Sequence, residues 1–262
     1  MFKTATVTLL TTALLVGAAP QEAEAKCMAR MLRITPPRGA RKVPRNVEIV
    51  LEAYGHQRDK LAGLLSGAVL VGGGKRVPLE LHYQARQSKE SYRMAYLLLR
   101  SKTPLAAAKR YRLAFARGVK APASLEYWVR KLKRYEFATG RKLDNAKPAT
   151  PTLTTSGYYH RRLGCGPAIS IDLGYDKLSD DQTPADKLGV LLHVEEKTGQ
   201  ATRRFEVRLA TPYQSKKTRL GHGMCSGNFQ LVKGARYTIR LSTVDWAGNA
   251  SAPSKSISVV AK

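Results

Sequence analysis

Acidic residues are scarce in this chain: 19 Asp and Glu stand against 45 Lys and Arg, a formal net charge of +26 over 262 residues. An excess of this size repels cationic partners and favours polyanions, without naming one. Cysteine is almost as sparse, and three residues allow one disulfide and leave an odd thiol. Long hydrophobic runs are missing apart from residues 7–19, which fall short of the roughly 20 apolar positions a spanning helix needs. Catalytic signatures are missing too: there is no Gly-x-Ser-x-Gly elbow, no His-Glu-x-x-His and no phosphate loop. Gly72-Gly73-Gly74-Lys75 lacks both the upstream Gly and the Ser or Thr after Lys, and reads as a hairpin turn. No signature of a nucleic-acid-binding fold occurs, and no cofactor is expected. These absences argue against an enzyme.

What is present begins with an export signal. Lys3, the apolar and Thr-rich run, and Ala23-Glu24-Ala25 form the pattern of a signal peptide over residues 1–25, with the mature chain starting at Lys26. An uncleaved anchor and lipid modification at Cys27 are the alternatives, the second opposed by the charge of Lys26 directly before it. The expected location is the periplasm, the cell surface or the medium. Residues 26–147 hold 28 basic and 8 acidic side chains, or +20, against 16 and 9, or +7, in the remainder. The first half carries the field.

Leu105 with Tyr111, and Leu231 with Tyr237, repeat one pattern, a core Leu separated by five residues from a Tyr that opens an alternating strand. It is the corner at which a sandwich strand turns from one sheet to the other and the Tyr hydroxyl bonds back to the backbone. Two corners predict an all-β chain of two tandem Ig-like or fibronectin-like sandwiches. We expect the first at 26–143, a polar, Pro-bearing linker at 144–151 and the second at 152–262. Val47, Ile49 and Leu51 alternate as a strand with one buried face, and residues 68–81 read as a hairpin about the glycines. Tyr111, Leu113 and Phe115 alternate with Arg110 and Arg112, which sends those cations outward. Residues 59–67 are the one helix candidate.

The Pro-x-x-Gly-Ala-x-x-Val-Pro run at residues 36–44 and the closing Phe137-Ala138-Thr139-Gly140 resemble bacterial Ig-like domains of S-layer and other surface proteins. Residues 150–260 resemble a fibronectin type III-like module through Leu231 to Tyr237 and Asp245-Trp246-Ala247-Gly248-Asn249. The basic stretches 52–67 and 117–134 have no counterpart in that pattern. The resemblance implies spacer, adhesive or auxiliary binding roles rather than catalysis.

Several constellations remain as site candidates. Cys165 and Cys225 are the natural disulfide pair of the second module, provided the loop around residues 221–227 folds back. His160 and His222 stand close enough in sequence to those cysteines for a Zn²⁺ set, although a disulfide with two surface histidines is the plainer account. Asp172, Asp176, Asp180, Asp181 and Asp186 gather in one stretch, as a solvated acidic loop, a Ca²⁺ loop without EF-hand spacing, or a surface that docks on the basic module. Arg110, Arg112, Arg130, Lys131, Lys133 and Arg134 are the expected contacts to an anionic polymer such as lipopolysaccharide, acidic polysaccharide or extracellular DNA. Tyr127, Trp128 and Tyr135 interleave the last four, as stacking surfaces do, though strand-face packing accounts for them as well. The competing role is a binding subunit or chaperone-like partner of another exported protein, using strand edges.

Overall fold

The computed structural model describes residues 32–54, 58–84, 94–115, 123–163, 166–176, 178–209, 216–223 and 227–262. Residues 1–25 and all three cysteines lie outside them. Alternating apolar residues pair into fourteen strands among the described residues. The first seven are β1 (Leu32–Thr35), β2 (Glu48–Tyr54), β3 (Val69–Gly72), β4 (Lys75–Gln84), β5 (Met94–Ser101), β6 (Arg110–Ala114) and β7 (Glu136–Ala138). They hydrogen-bond in the order β1-β2-β5-β4-β3-β6-β7.

β4 serves two sheets. Its residues 75–78 pair with β3, across a turn in which Gly73 and Gly74 take φ of +57° and +75° as a two-residue hairpin requires. Its residues 79–84 pair with β5. The chain thereby folds over at β4, and Ile49, Leu51, Leu97 and Leu99 from one half meet Leu70, Tyr111, Leu113 and Phe137 from the other in one core.

The second seven are β8 (Thr152–Leu163), β9 (Gly166–Asp176), β10 (Gly189–Thr198), β11 (Ala201–Leu209), β12 (Lys217–His222), β13 (Arg236–Val244) and β14 (Ile257–Val260). They form a three-stranded sheet, β12-β9-β8, and a four-stranded one, β11-β10-β13-β14, with every described pairing antiparallel. Ile171, Leu173, Leu192, Val207, Leu220, Tyr237 and Ile239 fill the space between. The fold is all-β, two sandwiches in tandem.

Two short helices interrupt the pattern, where the basic stretches had no strand alternation. Helix α1 (Arg58–Leu65) buries Leu61, Leu64 and Leu65, and Gly67 at φ +77° ends it in the left-handed region. Helix α2 (Glu126–Lys133) was not expected from the sequence. It buries Trp128, Val129 and Leu132 and carries Arg130, Lys131 and Lys133 in its last turn, where positive charge suits the helix dipole.

The expectation of one buried face on β2 is overturned. Ile49 and Leu51 face the first core, but Val50 and Tyr96 of β5 belong to the core of the second sandwich, and Glu48 and Glu52 on that face are each 1% exposed. Glu48 is paired there with Arg100 and with Arg208 of β11, while Glu52 takes the Tyr96 hydroxyl and lies 3.8 Å from Arg33. In the reverse direction, Trp246 from the turn after β13 is buried in the first core, and its carbonyl accepts from the Glu48 amide at 2.7 Å. Gly248 follows at φ +88°, where a Cβ would stand 2.6 Å from an Arg100 nitrogen. Each sandwich lends side chains to the other's core.

The segment between them is held from both sides. Asp144 is fully buried and its carbonyl accepts from Asn46 Nδ2 and Asn249 Nδ2, at 2.7 and 3.0 Å. The Ala149 amide donates to Ser179, and the Ala149 carbonyl accepts from Thr243 Oγ1. Leu143 at its start is 40% exposed.

Candidate polyanion-binding surface

Three stretches distant in sequence converge at one edge of the first sandwich. Gly39 and Val43 donate their amides to Glu136 and Ala138, Ala138 donates to Ala40, and Gly140 donates to Val43. The Gly-Ala-x-x-Val turn is thus laced to the closing strand β7. Thr139 Oγ1 then donates to Ala106 at 2.7 Å and accepts from the Lys109 amide at 3.0 Å, which ties in the corner before β6.

Leu105 and Tyr111 of that corner are buried, and the Ala106 amide donates to the Tyr111 hydroxyl at 2.9 Å. Its counterpart has Leu231 and Tyr237 buried and the Val232 amide donating at 2.7 Å. The Tyr237 hydroxyl donates in turn to buried Glu196, which also takes Arg203. Burial pushes Tyr237 above the usual phenol range.

Between the laced turn and the corner lies a groove of about 540 Å³, lined by Arg41, Lys42, Lys109 and Arg110 over the backbone of β7. All four cations are exposed; Glu136 is the carboxylate on its wall, 3.8 Å from an Arg110 nitrogen. Arg41 and Lys42 occupy the variable x-x positions of the turn signature, and Lys109 ends the corner. None of these three was singled out in the sequence, because only the fold brings residues 41–42 beside 109–110.

The remaining expected cations flank the groove. Arg112 points outward on β6, in register with Glu136 of β7 on one side and with Val71 of β3 on the other, beyond which stands exposed Arg76 of β4. Arg130, Lys131, Lys133 and Arg134 are exposed on or just after α2, which leads directly into β7. The rings among them mostly face inward: Trp128 and Tyr135 are buried, and Tyr127 is half-buried with Lys131 Nζ 4.8 Å above it. Burial raises the Tyr135 phenol far beyond its usual range. The surface therefore offers charge and hydrogen-bond donors, not a stacking platform.

The other candidates fare differently. His160 and His222 are both register partners of Ile169, one strand to either side of it, so their backbones are about 10 Å apart at the usual strand spacing. Cys165 and Cys225, needed for the Zn²⁺ set and for the disulfide, lie outside the described residues. The loop before β13 does fold back, since His222 bridges Gly227 and the Asn228 amide donates to Gly221. The five aspartates split. Asp172 pairs with Arg219, Asp176 with Lys216 and Asp186 with Lys187, at 2.7, 2.9 and 2.7 Å, and the Lys187 contact holds Asp186 below the usual carboxylate range. Asp180 and Asp181 instead face Asp144. Burial first, then Asp245, Asp180 and Asp181, push Asp144 up to about 7; Asp245 is pushed up to about 6, again mainly by burial.

No family model matches the chain, and no curated protein sequence does. Solved structures similar to it include one titled as a myokine, with 15% identity over 44% of this chain and 98% of that one, at a TM-score of 0.28. The FN1–FN3 domains of chicken CNTN1 align at 12% identity over 86% of this chain and 68% of theirs, TM-score 0.27. A type I pullulanase of Bacillus subtilis, complexed with maltose, aligns at 8% over 85% of this chain and 24% of its own, TM-score 0.23. With likeness this faint, the fold assignment rests on the sheets and corners themselves. Among the described residues no helix is long and apolar enough to cross a membrane.

Proposed function

We propose that this chain is an exported, non-enzymatic, two-sandwich protein that associates with an anionic envelope or matrix polymer through the first sandwich. The observation that carries the reading is the groove of Arg41, Lys42, Lys109 and Arg110, continued by Arg76 and Arg112 on the sheet and by the cations of α2. Its backbone is fixed by the Thr139 and Gly-Ala hydrogen bonds, so the cations stand on a rigid frame and only side chains must be ordered on binding. Such a surface recognises phosphate or sulfate and carries no information about base sequence.

The test is binding of the full chain to heparin, lipopolysaccharide vesicles and duplex DNA across a salt series. Affinity should fall steeply between low and physiological salt, as counterion release demands. Changing Arg41, Lys42, Lys109 and Arg110 together to Gln should lower affinity at least tenfold and flatten the salt slope. Absence of binding near physiological salt would leave the charge as a solubility device. Capture of an exported protein that resists salt would favour strand pairing instead; the β11 edge, with Arg203 and Arg204 exposed, is charged in the manner that discourages it.

A further inference from the structure

Away from the cationic face, a buried carboxylate and a half-buried one face each other, each with an oxygen to spare. Asp144 is fully buried; its Oδ1 accepts from the Ala146 amide at 3.2 Å, and its Oδ2 is buried without a hydrogen-bond donor. Asp180, in the loop between β9 and β10, is arranged the same way. Its Oδ2 accepts from the Gln182 and Thr183 amides at 3.1 and 2.6 Å, while its Oδ1 is buried and undonated. In each case one oxygen is used to fix the side chain and the other is held free. Asp181 adds an exposed third carboxylate, and one oxygen from each residue lies within 4.8 Å of the others.

Buried carboxylate oxygens without donors are costly, and a protein with 45 basic side chains could have matched them with Lys or Arg. Among the described residues no ion pair reaches Asp144, Asp180 or Asp181. The donor set is oxygen only, which suits neither Zn²⁺ nor a soft metal. Ca²⁺ takes oxygens at about 2.3–2.6 Å, so ligands on opposite sides of one ion lie about 4.6–5.2 Å apart. The spacing of the three aspartates fits that span, and exposed Asp181 leaves a path for the ion and for water ligands. We propose that Asp144, Asp180 and Asp181 bind one Ca²⁺ ion that fastens the segment leaving the first sandwich to the β9–β10 loop of the second.

The experiment is calorimetric titration of the full chain with CaCl₂ after chelator treatment, paired with melting in Ca²⁺ or in EDTA. One Ca²⁺ per chain is expected, with a higher melting temperature when bound and Mg²⁺ at least tenfold weaker. Asp181→Asn, at an exposed position that leaves the fold intact, should weaken Ca²⁺ at least tenfold, and Asp180→Asn likewise. Asp172→Asn, whose carboxylate meets Arg219 and Ser170 away from the three aspartates, should leave the titration unchanged. No binding heat and no melting shift would overturn the proposal. So would a response that persists in Asp181→Asn and Asp180→Asn, or one reproduced equally by Mg²⁺.

Discussion

The two outward faces of the first sandwich are built from the same alternation and meet opposite fates. On β6, Arg110 and Arg112 stand between buried Tyr111 and Leu113 and reach solvent. On β2, Glu48, Val50 and Glu52 occupy the equivalent outward positions, yet all three are buried beneath the second sandwich. Sign of charge separates them. Carboxylates on β2 find Arg100, Arg208 and Tyr96, whereas the cations of β6 find one half-buried Glu. On these two strands the carboxylates lie on the covered face and the cations on the open one.

The sharpest way to break that contrast is at the covered face. Trp246→Ala and Glu48→Ala should each cost about 3–5 kcal/mol, the first by leaving a cavity in the neighbouring core, the second by removing the buried carboxylate that Arg100 and Arg208 share. Urea unfolding followed by fluorescence should also resolve into two transitions in Trp246→Ala where the parent shows one.

Next come the corners. Tyr237→Phe should cost about 1–3 kcal/mol and Tyr111→Phe about 0.5–1.5, because the Tyr237 hydroxyl also donates to buried Glu196. Equal losses in thermal melts would show that the Glu196 contact adds nothing.

A further effect is set by pH. Asp144 and Asp245 hold protons more tightly in the fold than in the unfolded chain, at about 7 and about 6 against 3.8. Ionising them therefore opposes folding. With chelator present, their contribution is full below about pH 4 and is lost as pH rises towards 7; Asp144→Asn should flatten this decline in stability–pH profiles. Smallest of all is the open face: the fourfold Gln variant of the groove should unfold within about 0.5 kcal/mol of the parent.

The corners were legible because Leu105–Tyr111 and Leu231–Tyr237 depend on local spacing alone. The β3–β4 hairpin was legible for the same reason, through Gly73 and Gly74. Helix α2 was not: its Trp128, Val129 and Leu132 sit among four charges in a stretch too short to show a helical period. The burial of Glu48 and Glu52 was hidden because a Glu alternating with Ile and Leu is the ordinary mark of a solvent-facing position; only Arg208, far along the chain, reverses it. The groove was half legible. Arg110 was named from the strand, while Arg41, Lys42 and Lys109 gain meaning only when the Thr139 hydrogen bonds bring their loops together. Asp180 and Asp181 were seen as part of an acidic run, but their partner Asp144 lies in a segment that read as a spacer.

Trp246 gives the chain an order of assembly. The first sandwich is synthesised long before the residue that completes its core, so as the polypeptide emerges its early half must wait, its Glu48 face uncovered and its interior short of an indole. The first sandwich is thus completed by residues of the second, Trp246 in its core and Arg208 over its Glu48 face.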